Sequence, residues 1–227
     1  MRLSTAIVLV SAVLLGCTPA GQLLMAVIPD GTISTLLGNL ERVDDTNRRR
    51  VSELEQAADW EALAKFADDN IAKERSNASW WLVAGYANSR QKKHERAIEC
   101  FREMVRLEPD APDGWNMLAQ EHRASGDSQR AVEVLTRALT AVRDSALTLT
   151  LLGESYSDLG RFELAARSYR QALDIDGGIA LAWIGLARSH IKTGRITEAE
   201  SIARSVEKSN PLLATAIRNE ISTARSR

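Results

Sequence analysis

Trp81-Leu82-Val83-Ala84-Gly85-Tyr86, Trp115-Asn116-Met117-Leu118-Ala119-Gln120, Leu149-Thr150-Leu151-Leu152-Gly153-Glu154 and Trp183-Ile184-Gly185-Leu186-Ala187-Arg188 start at intervals of 34 residues. A fixed period of this length is the mark of a stacked repeat and outranks local secondary-structure cues. The first column is Trp81, Trp115 and Trp183, with Leu149 keeping it bulky and apolar. Gly85, Ala119, Gly153 and Ala187 form a small-residue column, and Ala97, Ala131, Ala165 and Ala199 form a second, unbroken one. Phe101, Leu135 and Tyr169 make a bulky column that ends in Ala203. Gly126, Gly160 and Gly194 mark a turn within three repeats, with Lys92 in that place in the first. Pro109 and Pro211 close the first and last repeats, while Arg143 and Gly177 stand there in between.

Trp115-Asn116-Met117-Leu118-Ala119 and Leu152-Gly153-Glu154-Ser155-Tyr156 resemble the start and middle of the tetratricopeptide repeat pattern, W-x2-L-G-x2-Y, then Ala, an aromatic and Pro. Ala84, Asn88, Leu149, His122 and His190 depart from it, none of them in every repeat. The resemblance implies an all-α, right-handed solenoid of helical hairpins, with four clear repeats over residues 78–211. Packing explains the columns: a lone hairpin cannot bury its apolar face, so neighbours must stack. Small residues let the two helices approach, and bulky ones fill the space between hairpins.

Residues 47–77 read as a degenerate fifth hairpin, Asn47 to Ala58 and Trp60 to Glu74, one residue out of the strict frame. Trp60, Leu63, Phe66 and Ala67 fall at helical spacing, with Val51, Leu54 and Ala58 as the facing stripe. Residues 212–227 read as a capping helix and tail, which a solenoid end requires.

The first twenty residues read as targeting rather than fold. Arg2 precedes Ala6 to Leu15, an apolar run of signal-peptide length and too short to span a bilayer. It ends in Leu14-Leu15-Gly16-Cys17, which resembles the lipobox of bacterial lipoproteins, with Leu15 where a small residue is usual. This implies a signal peptide at 1–16, lipid attachment at Cys17, and a membrane-proximal tether with an amphipathic helix at 17–46. Thr18 after the cysteine implies sorting to the outer membrane, facing the periplasm. The alternatives are an ordinary secretory peptide cut elsewhere and an uncleaved inner-membrane anchor, the latter because no charge occurs from Leu3 to Pro29. Gly16, Pro19 and Gly21 speak against such a span. With Cys17 acylated, Cys100 has no disulfide partner and is expected to act as a small buried hydrophobe.

Composition excludes some functions. A net charge of −1 gives no electrostatic footprint for nucleic acid. Arg48-Arg49-Arg50 lies beside Asp44 and Asp45 and reads as a solvated helix face. His94-Glu95 begins a zinc-binding H-E-x-x-H, but Ile98 replaces the second histidine. Gly153-Glu154-Ser155-Tyr156-Ser157 misses the last glycine of a nucleophile elbow and lies on a repeat helix. No cofactor fingerprint, catalytic set or metal site is expected. His122 and His190 share one repeat phase and are the only candidates for the competing reading, a metal-dependent enzyme.

What remains is protein binding. Tetratricopeptide arrays use the concave surface lined by the first helix of each hairpin. The face opposite the packing columns places Leu82, Tyr86 and Arg90 there, then Asn116, Gln120 and Arg123. Thr150 and Glu154 follow, then Ile184 and Arg188. Such a mixture suits an extended peptide or a helix of a partner protein, with Tyr86 as an aromatic anchor. Each residue alone is equally compatible with plain solvent-facing surface.

Overall fold

The computed structural model of the chain describes residues 43–142 and 144–226. Cys17, the signal stretch and all but the end of the tether lie outside the described residues. Eleven helices follow one another among the described residues. They are α1 (Asp45–Gln56), α2 (Trp60–Lys73), α3 (Ala78–Arg90), α4 (His94–Leu107), α5 (Pro112–Ala124), α6 (Ser128–Ala141), α7 (Ala146–Asp158), α8 (Phe162–Ile175), α9 (Ala180–Lys192), α10 (Ile196–Val206) and α11 (Pro211–Arg225). Each odd helix up to α9 pairs with the even one after it, giving an all-α stack of five hairpins closed by α11.

The degenerate hairpin is in frame, which corrects the one-residue shift expected from the sequence. Ala58 lies 34 residues before Lys92, and both adopt positive φ, 53° and 60°. Gly126, Gly160 and Gly194 continue the column at 88°, 70° and 77°. What misleads is an exchange of bulk. Leu63 occupies the alanine column and Ala67 the bulky column, and each is fully buried. Pro211, at the close of the fourth repeat, opens the capping helix α11, where its missing N–H costs nothing, and Asn210 caps the helix by accepting from the Leu213 N–H at 3.0 Å.

The small and bulky columns are matched in size, pair by pair. A Cβ on Gly85 would stand 2.5 Å from Phe101, and one on Gly153 would stand 2.7 Å from Tyr169. Where the bulky residue is Leu135, the partner column holds Ala119, and where it is Ala203 the partner is Ala187. Gly185 on the next hairpin also abuts the Tyr169 ring, leaving no room for a side chain. The alanine column Ala97, Ala131, Ala165 and Ala199 is fully buried throughout, as close helix approach demands. Trp81, Trp115 and Trp183 share a further device: each indole N–H donates to a carbonyl six residues upstream, at 2.9, 2.8 and 2.9 Å. Cys100 is fully buried, and burial pushes its thiol up to about 11, so it sits in the core as an inert hydrophobe.

Candidate functional site

Helix contacts define an inner and an outer side of the stack. The first helices of successive hairpins touch directly, α5 with α7, α7 with α9 and α9 with α11. The second helices meet chiefly the first helices on either side of them. Crowding on the first-helix side is what bends such a stack, so α5, α7 and α9 line its inner face. The residues expected to bind a partner fall on these helices and on α3, but their exposure varies widely. Leu82, Tyr86, Asn116, Gln120 and Thr150 are buried; Arg123, Glu154 and Ile184 are half-buried; Arg90 and Arg188 are exposed.

Tyr86 is no free-standing anchor, contrary to the expectation from sequence. Its ring meets the edge of Trp60 at 5.8 Å, and Arg90 lies 4.7 Å over Trp60 and 6.0 Å from the Tyr86 ring. Burial, then the charge of Glu55, which bonds the hydroxyl, pushes the Tyr86 hydroxyl up to about 12. The degenerate hairpin thus supplies Glu55 and Trp60 to this end of the inner face.

The middle of the face is an ionic cluster. Arg123 on α5 donates to Glu154 at 2.6 Å and to Asp158 at 2.8 Å, both on α7. The Arg123 and Glu154 side chains are only 7% and 11% exposed, so this pair is largely shielded from solvent. Burial raises Glu154 to about 7 even though Arg123 opposes the shift. Ser128 adds a hydroxyl contact to Asp158 at 3.3 Å. Arg188 on α9 bonds Glu220 on α11 through its Nε at 3.1 Å, repeating the inter-helix pairing two steps on. Asp158 and Glu220 escape the sequence reading because a pair separated by 35 or 32 residues has meaning only once the repeat frame is known.

Between these ends lie two amides. Asn116 Oδ1 accepts from the Thr148 hydroxyl at 2.9 Å, but its Nδ2 has no partner. Gln120, one turn on, has neither Oε1 nor Nε2 paired, although both are buried. Thr150 differs, since its hydroxyl is satisfied by the Ala146 carbonyl at 2.8 Å. Buried unpaired amides cost about 1–3 kcal/mol each, so their presence at the centre of this face requires a physical reason.

The histidines are arranged differently from a metal site. His94 pairs through Nδ1 with the buried Glu121 at 2.5 Å. His122 is held below its usual range by burial and by Arg102 and Arg130, and His190 by burial and by Arg195 and Arg170. Among the described residues no group of three or more His, Cys, Asp or Glu could hold a metal ion. Nor is any described helix long and apolar enough to cross a membrane.

Comparison with known proteins places this geometry. Tetratricopeptide repeat models match residues 78–121, 116–178 and 150–214. Protein bimA of Emericella nidulans is 24% identical over 114 residues, which is 50% of this chain and 14% of that protein. Cellulose synthase operon protein C of Pseudomonas fluorescens is 27% identical over 119 residues, 49% of this chain and 9% of its own length. The chain therefore spans a small fraction of the curated relatives it matches. Among solved structures, PilW, described as a type IV pilus biogenesis factor, superposes with a TM-score of 0.63 at 18% identity. That alignment covers 77% of this chain and 82% of PilW. MamA superposes at 0.62 with 16% identity, covering 80% of this chain and 98% of MamA. YrrB, described as having an unusual peptide-binding site, superposes at 0.58 with 17% identity, over 74% and 88% of the two chains. With repeat matches running without a gap from residue 78 to 214, the chain belongs to the tetratricopeptide repeat family.

Proposed function

We propose that this protein is a scaffold that holds a segment of a partner protein on the inner face of α3, α5, α7 and α9. The observation that carries the reading is the pair of unpartnered amides, Asn116 and Gln120, at the centre of that face. A peptide main chain offers the alternating donors and acceptors that such amides need. The Arg123–Glu154–Asp158 cluster holds α5 against α7 beside them and fixes their spacing. Arg90, Ile184 and Arg188 supply the more open ends of the surface. In this reading the scaffold is tethered through lipidated Cys17 to the outer membrane, in the periplasm of a bacterial envelope. The apolar run ending in Leu14-Leu15-Gly16-Cys17 supports that placement. Assembly of pili, secretins or other envelope machinery, or recruitment of cell-wall enzymes, would suit such a scaffold, and PilW, a similar fold, is described as a type IV pilus biogenesis factor.

Tyr86 and Arg123 make poor probes, because each is tied into the packing of the stack. The informative variant is Asn116→Leu with Gln120→Leu. Crosslinking in cells followed by affinity capture and membrane fractionation should recover one partner in the membrane pellet. Leucine at both amides should abolish that capture with helicity unchanged, and Cys17→Ser should move the complex to the soluble fraction. Equal capture by the double-leucine variant would overturn the groove, and a membrane-retained Cys17→Ser variant would overturn the lipid tether.

A further inference from the structure

The outer side of the stack carries a second feature that the inner-face reading does not use. Because the second helices of adjacent hairpins do not pack closely on one another, a trough opens between α4 and α6, with a volume of about 620 Å³. Val105, Leu118 and Val134 form its apolar floor, together with the Trp115 ring. Arg102 and Arg106 of α4 stand on one wall, Arg130 and Arg137 of α6 on the other. Glu133 is the one carboxylate in the lining, and it takes a long hydrogen bond from Gln129 at 3.5 Å. Arg106 is paired with Glu103 at 2.9 Å and Arg130 with Asp127 at 3.2 Å. Arg102 and Arg137 form no ion pair among the described residues, and Arg137 instead lies 5.7 Å from the Trp115 ring centre.

The trough does not end at α4. Arg102 and Arg106 also line the cavity of the preceding seam, about 490 Å³, where they are joined by Arg75 and Arg96 and by the carboxylates Glu99 and Glu103. There Arg96 is paired with Glu99 at 3.1 Å and with Asp68 at 3.0 Å. The seam that follows, between α6 and α8, has the same architecture and the opposite character. Its cavity of about 440 Å³ is lined by Asp144 and Asp174 and by no arginine. Of these three successive seams, the first two are arginine-walled and the third is not.

We propose that the arginine-walled seams dock an acidic, amphipathic peptide segment of a partner protein, its apolar residues on the Val105–Leu118–Val134 floor and its carboxylates on Arg102 and Arg137. Guanidinium forks bind carboxylates with two parallel hydrogen bonds, and the unpaired pair of arginines offers two such forks across one trough. The concave, partly apolar floor does not fit a flat lipid surface. A chain of net charge −1 is also poorly suited to nucleic acid. Continuity through Arg102 and Arg106 into the neighbouring cavity favours an extended segment over a small anion.

The test uses the full chain and a fluorescent synthetic peptide carrying leucine at helical spacing with glutamate elsewhere. Binding followed by anisotropy should weaken at least about tenfold in Arg102→Glu/Arg137→Glu, and should weaken as salt is raised. Both arginines are exposed, so circular dichroism should report an intact fold. Binding should persist in Asn116→Leu/Gln120→Leu, which separates this site from the inner face. Equal binding of the double-glutamate variant would overturn the proposal. So would equal binding of a lysine–leucine peptide, of a glutamate peptide without leucine, or displacement of the probe by millimolar inorganic phosphate. Preference for vesicles of anionic lipid over the peptide would likewise reject it in favour of a membrane surface.

Discussion

Arg123 and Arg137 belong to the same pair of helices, α5 and α6, yet the two sides of the stack treat them in opposite ways. On the inner face Arg123 is 7% exposed and clasped by two carboxylates from the next hairpin. On the outer seam Arg137 is exposed, unpaired by any described carboxylate, and laid beside an indole. The difference follows from curvature. First helices crowd together, so a charge between them loses water and must find a fixed partner. Second helices spread apart, so a charge there keeps its water and stays available. The inner ionic groups therefore hold hairpins in register, while the outer ones are free to meet something else.

Removing Arg123 is the sharpest way to break this comparison. Arg123→Met leaves Glu154 and Asp158 facing each other across a shielded contact, and breaking a buried pair in this way costs about 3–5 kcal/mol. Urea unfolding at neutral pH should show that loss, with the midpoint lowered and helicity in the absence of urea retained if the rest of the stack is stable enough. A loss below about 1 kcal/mol would mean that the cluster is solvated and that the two faces do not differ in this respect.

A somewhat smaller effect is expected from pH. Glu154 is raised from 4.5 to about 7 in the folded chain by burial, against the pull of Arg123. The sign follows from linkage: the folded state binds the proton more tightly than the unfolded state does. The stability contributed by this group is fully present below about 4.5 and is lost as pH rises through about 7, a total of about 3 kcal/mol. Glu154→Gln should remove this decline, making the variant less pH-sensitive between those limits. Thermal or urea unfolding across the pH range checks it. A wild-type profile that stays flat through this window, or an unaltered slope in the variant, would show that Glu154 is ionised at little cost.

Much of the fold could be read from one sequence because the repeat makes the chain its own comparison set. Trp81, Trp115 and Trp183 announce the period, and their recurring indole bonds to a carbonyl six residues back show what the column is for. The matched sizes of Gly85 with Phe101, Ala119 with Leu135 and Gly153 with Tyr169 were equally present in the sequence. They become informative only when the two columns are known to touch. The first hairpin was harder to frame because Leu63 and Ala67 exchange bulk between columns while its turn keeps the period. The site was less legible still. Helical phase put Leu82, Tyr86 and Thr150 on the inner face, but phase does not report how tightly neighbouring hairpins close over them. Nor does it reveal that Tyr86 is engaged by Trp60 and Glu55, 26 and 31 residues earlier in the chain. The arginine seam was missed because its residues come from two different hairpins, four to seven positions apart within each helix, and amount to no local cluster.

The smallest expected effect on stability is at Arg137, and its smallness is the point. Arg137→Ala removes an exposed guanidinium with no carboxylate partner, leaving only its contact with the Trp115 ring to be lost. An exposed cation–π contact contributes about 0.5–1 kcal/mol, so the unfolding midpoint should move by little, several-fold less than for Arg123→Met. The same substitution should nonetheless weaken the acidic probe peptide, which Arg123→Met should leave bound wherever the chain remains folded. Stability and outer-face binding would then separate onto two arginines of adjacent helices. If instead Arg137→Ala destabilised the chain as strongly as Arg123→Met, the seam would be a structural joint between α4 and α6, and its open arginines would need a packing explanation rather than a partner.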